Sequence, residues 1–374
     1  MKQRRYWVGG FAALAVAAAV WVTAGTAGAA QQHAKKLTKV TLQLKWVTQA
    51  QFAGYYAAKA KGYYTQQGLD VSIKPGGPNI IPEQVVAGGQ AQFGIDWLSS
   101  LMTARDKGAD LVNIAQVFTK SGLTLITWKD SGINTVAKMR GKTVANWLGG
   151  NEFEVFAALV KNGMDPVRQK GVKIFQEPFT MGFFLKHQVA AASAMTYNEL
   201  AQVLEAKNSK TGKLFKLKDL NVIPMQKIGT GMLEDGVFTT GSWIKDKAHQ
   251  AIAKKFLTAS FKGWIYCRDH RTDCVNIVLK NGPALPKGHQ NWQMNEINAL
   301  IWPDKLGIGI MNPTDFARSA KIVKTYGKLK KLPNHQAYRT DLARAADAML
   351  TKQSVDIHGL HWKKAVVHVT PGGK

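Results

Sequence analysis

The stretch Gln43-Leu-Lys-Trp-Val-Thr-Gln-Ala-Gln-Phe-Ala-Gly-Tyr-Tyr56 crowds Lys45, Trp46, Gln49, Gln51 and Tyr55 together. A Trp or Tyr face stacks on a flat ring while an amide reads its edge by hydrogen bonds, so these residue types suit heterocycle recognition. Tyr56 and Tyr63 read better as core residues. Four further stretches repeat this chemistry. Phe93-Gly-Ile-Asp-Trp-Leu-Ser-Ser100 offers Asp96 and Trp97, with serines that could simply cap a helix. Asn146-Trp-Leu-Gly-Gly-Asn-Glu-Phe-Glu-Val-Phe156 offers Gly150, Asn151 and Glu152 at a helix start, where free amides favour an anion or a polar ligand edge. There Asn151 is equally an N-cap, and Glu152 a complement to the helix dipole. Ala194-Met-Thr-Tyr-Asn-Glu199 brings Tyr197 beside Glu199, a carboxylate that could accept two hydrogen bonds from an amino-substituted ring or merely start a helix. Gly229-Thr-Gly-Met-Leu-Glu-Asp-Gly-Val-Phe-Thr239 carries Glu234 and Asp235, which line a cleft or make a turn.

Nothing in these stretches is a catalytic signature. No Gly-x-Ser-x-Gly or His-Glu-x-x-His occurs, and the Gly149-Gly150 spacing is neither a P-loop nor a dinucleotide fingerprint. No catalytic residue, metal or cofactor is therefore expected. His358 and His361 have a spacing that could hold a metal on a helix, but they sit in a polar tail. Cys267 and Cys274 enclose a hydrophilic run and read as a disulfide in an oxidising compartment. A metal site using Cys267, His270 and Cys274 fits no strong zinc pattern.

Elements that could bring these stretches together follow from the hydrophobic pattern. Val40, Leu42, Leu44 and Trp46 alternate as a strand does, and apolar strand-like runs then alternate with helical ones. That predicts an α/β fold of two lobes with mostly parallel sheets. The expected boundaries are a first lobe over 36–130, a second over 131–230, a return to the first over 231–285, and a helical segment over 286–374 packed on the first lobe, ending in a polar tail. Open sheets bind ligands at the carboxyl ends of their strands, which is where the five stretches fall. Closure about crossings near 127–135 and 228–237 would trap a ring between aromatics.

Lys2, Arg4 and Arg5 precede an apolar run from Phe11 to Val22 and the small residues Ala24 to Ala30, so residues 1–30 are expected to be a secretory signal peptide. The run is short for a membrane anchor, which needs about 20 apolar residues. A soluble periplasmic protein is the expectation. The formal net charge of +26 could mark nucleic-acid binding, but the lysines are scattered and an exported protein rarely meets nucleic acid. Solubility, an anionic surface or steering of an anionic ligand remain open as its use. The chain is expected to act as a monomer.

In order and spread, Leu-Lys-Trp at 44–46, Gln-Phe-Ala-Gly-Tyr-Tyr at 51–56, Gly-Gly-Asn-Glu at 149–152, Ala-Met-Thr-Tyr-Asn-Glu at 194–199 and Met-Leu-Glu-Asp-Gly at 232–236 resemble the NMT1/THI5-like binding proteins. Trp-Gln-Met-Asn-Glu at 292–296 and Gly-Ile-Gly-Ile-Met at 307–311 extend the resemblance over nearly the whole chain. It implies a type II periplasmic-binding-protein fold serving an ABC permease and its ATPase. The implied ligand is a small aromatic heterocycle, either a thiamine pyrimidine precursor such as hydroxymethylpyrimidine or formylaminopyrimidine, or riboflavin. Fungal members of the family are enzymes that make the thiamine pyrimidine from pyridoxal phosphate and an internal histidine. Where that pattern has its lysine and histidine this chain has Asp96 and Ser100, and the fungal cysteine-rich motif is replaced by Met232-Leu-Glu-Asp-Gly236. A neighbouring group that binds sulfonates or other organic anions is the other alternative.

Overall fold

Ten strands divide between two sheets in a computed structural model that describes residues 36–148, 150 and 152–374. The expected leader and Asn151 lie outside the described residues. One sheet orders its five strands β2-β1-β3-β10-β4, comprising Leu69–Lys74, Thr38–Gln43, Phe93–Trp97, Asp235–Thr240 and Leu111–Gln116. The other orders β7-β6-β8-β5-β9, comprising Lys173–Gln176, Thr143–Asn146, Ala191–Met195, Leu123–Trp128 and Leu220–Pro224. The two orders are the same pattern. In each sheet the fourth strand arrives from the other lobe and runs antiparallel to both neighbours. The sheets are thus mixed, where the sequence pattern predicted mostly parallel ones.

This membership moves the first crossing. β5 pairs with β8 and β9, so the second lobe begins at Leu123 and the chain crosses over 117–122, ahead of the expected 127–135 and of a boundary at 130. The return crossing runs from Met225 to Glu234 between β9 and β10, overlapping the expected 228–237. β4 and β5 are buried along their whole length because helices or the opposite lobe cover both faces.

Behind the first sheet, helix Ala53–Ala60 packs on the long helix Lys247–Asp269 at close range. A Cβ at Gly54 would lie 2.1 Å from the Trp264 ring, and one at Gly263 would lie 2.0 Å from the Gly54 carbonyl oxygen. Both positions must be glycine for the backbones to approach so nearly. The Tyr64 hydroxyl meets the Ser260 hydroxyl at 2.9 Å in the same buried layer. Cys267 and Cys274 are joined by a disulfide, with Cα atoms 5.4 Å apart, linking the end of this helix to the next one, Arg271–Asn281.

The helices after residue 286 are not confined to the first lobe. Gln290 and Gln293 of helix Lys287–Ile301 accept from the Ala50 N–H at 2.7 and 2.9 Å in the first lobe. From the same helix, Trp292 Nε1 donates to the Thr196 carbonyl at 2.9 Å, and His289 sits between Glu205 and Asn198 in the second. Arg318 of helix Pro313–Tyr326 donates to the Gly231 carbonyl at 3.0 Å in the return crossing. The segment therefore braces both lobes and the hinge. No helix among the described residues is long and apolar enough to cross a membrane.

Candidate functional site

The cleft forms where carboxyl ends of strands from both sheets face each other. On the first-lobe side, β1 ends at Gln43 and delivers Lys45 and Trp46, and β3 delivers Asp96 and Trp97. Lys45 ion-pairs with Asp96, and its ammonium stands 3.9 Å over the Trp97 ring. Burial opposes the Lys45 charge, but Asp96, helped by Glu83 and Asp235, more than offsets it and raises the pKa. Asp235 opens β10 opposite Trp97 in the register. Its Oδ2 accepts from Gln51 Nε2 at 2.9 Å, and Gln49 Nε2 holds Gln51 Oε1 at 2.7 Å. The amide relay follows from local spacing: Gln49 precedes and Gln51 sits within a 3-10 turn, Ala50–Phe52, whose Ala50 N–H is held by the helix Lys287–Ile301.

On the second-lobe side, Gly150 reaches across. It accepts from Ser99 Oγ at 2.9 Å, its N–H donates to Glu152 Oε2 at 2.6 Å, and its φ of +126° is one that favours glycine. Tyr197 and Glu199 follow β8. Glu199 accepts from the Met195 N–H at 3.1 Å and from Asn198 Nδ2 at 2.6 Å, so it shapes the turn, and burial lifts its pKa to about 7. The Tyr197 ring is buried beside Gly122, and burial together with Glu234, Asp235 and Glu199 raises its hydroxyl's pKa. At the mouth, Trp46 meets Phe179 of the second lobe with ring centroids 5.4 Å apart.

Of the expected residues, the structure brings Gln51, Asp96, Trp97, Gly150, Tyr197 and Asp235 around the cleft, with Trp46 at its mouth and Glu152 at its rim. Tyr55 is corrected: its ring lies edge-on to Trp264, 5.5 Å between centroids, in the interface between the two packed helices. Tyr56 bonds Thr48 at 2.8 Å beside it.

The sequence reading named Glu234 and Asp235 but missed the buried acids that join them, Glu83, Glu154 and Glu177. Glu154 accepts from Ser121 Oγ at 2.7 Å and from the Met232 N–H at 2.8 Å, tying the helix Glu152–Lys161 to both crossings. Glu234 accepts from the Gly122 N–H at 2.6 Å. Burial raises Glu154 to about 8 and Glu83 to about 9. Burial and then Glu154 and Asp235 push Glu234 well above the carboxylate range. Asp235 rises to about 7 and, on the second lobe, Glu177 to about 10, again mainly by burial. One signal was available: Glu154 interrupts the apolar residues Phe153, Val155 and Phe156, a position where an exposed acid is not expected. No group of residues suited to hold a metal is found among the described residues.

Trp97, Ser99, Leu123, Glu154, Met195 and Glu234 help enclose a cavity between the lobes with ≈ 10 Å³ of space for a water centre, room for about one water. A roomier, open cavity of ≈ 610 Å³ lies beside the disulfide, lined by Arg268, His270, Asn298 and Trp362. No strand end reaches it. The cleft is the better ligand site because backbone termini, aromatics and buried polar groups converge there.

The chain is similar to a riboflavin-binding protein, RibY, of Chloroflexus aurantiacus, at 21% identity over 318 residues, covering 82% of this chain and 86% of that one. A 4-amino-5-hydroxymethyl-2-methylpyrimidine phosphate synthase of Legionella pneumophila is 29% identical over 140 residues, 37% of this chain and 43% of the synthase. That match spans less than half of the enzyme. Among solved structures, the periplasmic aliphatic sulphonate binding protein SsuA of Escherichia coli superposes with a TM-score of 0.59 at 15% identity, covering 82% of this chain and 91% of that one, a likeness of fold alone. The sequence model of the family described as NMT1/THI5 like matches residues 49–273, more than half of the chain. With two such sheets joined by paired crossings, the chain has the type II periplasmic-binding-protein fold of ABC-importer solute binders and belongs to the NMT1/THI5-like family.

Proposed function

We propose that this protein is the periplasmic solute-binding component of an ABC importer that captures a small aromatic heterocycle by closing its lobes and hands it to the permease. The observation that carries the reading is the meeting of Trp97, Tyr197, Gln51 and Asp235 between opposed strand ends, a ring-stacking surface with donors and acceptors at its edge. A thiamine pyrimidine precursor or riboflavin has such a face and such edges. The likeness to RibY, over most of both chains, supports this class of ligand. The enzymatic alternative is disfavoured because Asp96 is committed to Lys45, and Ser100 faces Gly150 across the cleft.

Residues 1–30 would serve as the export signal, and Asn151, outside the described residues, would be a further ligand-binding residue. The test is a thermal-shift and native mass-spectrometric screen against hydroxymethylpyrimidine, formylaminopyrimidine, riboflavin and alkanesulfonates. A heterocycle should bind and, in small-angle scattering, compact the protein. Binding of sulfonates alone would move the protein to the anion-binding group.

A further inference from the structure

We propose that the cleft takes its ligand as a cation, a planar nitrogen-based group seated on Trp97 and held by Glu234 and Asp235. This rests on the reading of the cleft as the ligand site. Two independent observations carry it.

The first is a set of unspent acceptors. Glu234 and Asp235 are each under 5% exposed, yet Glu234 Oε2 and Asp235 Oδ1 make no hydrogen bond within the protein. Glu234 lines the interlobe cavity together with Trp97, whose side chain approaches Asp235 closely enough to favour its ionised form although Nε1 closes no well-formed hydrogen bond. A buried carboxylate oxygen without a donor is expensive and calls for an explanation, and at opposed strand ends a donor on the ligand supplies one. Among the described residues no Lys, Arg or His ion-pairs with Glu154, Glu234 or Asp235. Arg318 acts on Glu154 and Lys45 acts on Asp235 only through space.

The second observation is that the cleft already displays its preference. Lys45 lies over the Trp97 ring and pairs with Asp96, an indole face with a carboxylate beside it. Cation and ring attract through the ring quadrupole, most strongly where water is excluded. The same indole has the uncompensated acids on its other neighbours. A sulfonate or nitrate placed there would be tolerated only while Glu154, Glu234 and Asp235 keep their protons and would be repelled as they ionise, whereas a cation gains from their ionisation.

A consequence is proton exchange. The groups facing this cluster are Glu154, Tyr197 and Ser121 around Glu234, and Gln51, Lys45, Asp96 and Trp97 around Asp235. Without ligand the acids hold protons near neutrality, and an arriving cation displaces them. Affinity for a cation should therefore increase as pH rises through about 7, where Asp235 titrates.

Calorimetric titrations with benzamidinium, its neutral isostere benzamide, and benzenesulfonate test this, run in buffers of different ionisation enthalpy on both sides of about pH 7. Benzamidinium should bind at least roughly tenfold more tightly than benzamide, release protons and gain affinity with pH, while benzenesulfonate does not bind. Glu234→Gln and Asp235→Asn should each reduce that preference and the proton release, with circular-dichroism melting confirming the fold. Should Asp235→Asn misfold, the Glu234→Gln titration decides alone. If riboflavin or hydroxymethylpyrimidine binds without proton exchange and benzamidinium gains nothing over benzamide, the cation inference falls and the solute-binding reading stands. If sulfonates bind and neither heterocycles nor benzamidinium do, both fall. Failure of benzamidinium to bind at millimolar concentration also overturns the inference.

Discussion

The outer surface is rich in bases and the cleft in buried acids. Across the chain 50 Lys and Arg face 24 Asp and Glu, yet Glu83, Glu154, Glu177, Glu199, Glu234 and Asp235 are gathered in and behind the cleft, where Lys45 pairs with Asp96. Exposed lysines stay hydrated, and salt screens them beyond about 8 Å. Buried carboxylates have no such screen, so each is felt by its neighbours. Net charge here describes how the protein behaves in solution, and the cleft describes what it selects. A reading that infers an anionic ligand from the excess of lysines takes its guide from the surface, whereas the proposed cation takes it from the cleft.

The strongest way to break the comparison is to remove a charge from the cleft. Asp96→Ala would leave Lys45 largely buried over Trp97 without its ion-pair partner, and should destabilise the protein by about 3 kcal/mol in denaturant titrations. The figure sits at the low end for a broken buried pair because Lys45 retains some solvent and has Glu83 nearby. A loss below roughly 0.5 kcal/mol, ordinary for a surface site, would mean the pair is not insulated from water.

Next in size is ligand capture. Trp46→Ala or Tyr197→Ala should weaken heterocycle binding by roughly 1–3 kcal/mol, the range for bases stacked on aromatics. The two should differ in kind. Tyr197 is buried at the cleft wall, whereas Trp46 closes the mouth against Phe179, so its loss should also reduce compaction in scattering. Unchanged affinity in both variants would place the site elsewhere.

How these residues come together was only partly legible in the sequence. The alternation in Val40, Leu42 and Leu44 marks β1, and the position of Asp96-Trp97 after an apolar run marks a strand end. Membership of β5 was not legible. Leu123–Trp128 is buried throughout, and such a run carries no face that says which sheet it joins; pairing with β8 and β9 is decided by contacts distant in sequence. Tyr55 misled for the opposite reason. It lies in a short aromatic motif whose glycine, Gly54, serves helix packing against Trp264. Glu83 and Glu154 were hidden because each has a bland local role: Glu83 follows Pro82 at a helix start, and Glu154 lies in the first turn of a helix. Only the two crossings, brought side by side, turn them into one cluster.

The pH dependence of the unliganded protein sharpens the contrast further. Asp235 and Glu199 at about 7, Glu154 at about 8 and Glu83 at about 9 all lie above the ordinary carboxylate range, so the folded state holds these protons more tightly than the unfolded chain. Their stabilising contribution is full below that range and is lost as pH rises through those values. Melting temperature should fall as pH rises from the ordinary glutamate value of 4.5 to about 9. Glu234→Gln removes a like charge from Glu154 and Asp235 and should recover roughly 1–2 kcal/mol at the alkaline end, about one unit of pKa relief. A flat profile would show that water reaches the acids.

The smallest effect belongs to the surface, and it completes the comparison. Lys330 and Lys331 are exposed, and their backbone N–H groups, held by Asp106, do not depend on the side chains. Lys330→Glu with Lys331→Glu shifts the net charge by four without touching the cleft. Stability should change by less than about 0.5 kcal/mol, as for ordinary surface substitutions, and ligand affinity at physiological salt should not change measurably. At low salt, where the screening length grows to about 30 Å at 0.01 M, the association rate should shift while the dissociation rate holds. A cationic ligand would then arrive faster at the less basic protein. An anionic one would arrive more slowly, so the sign of this small effect reports the charge of the ligand independently of every cleft variant.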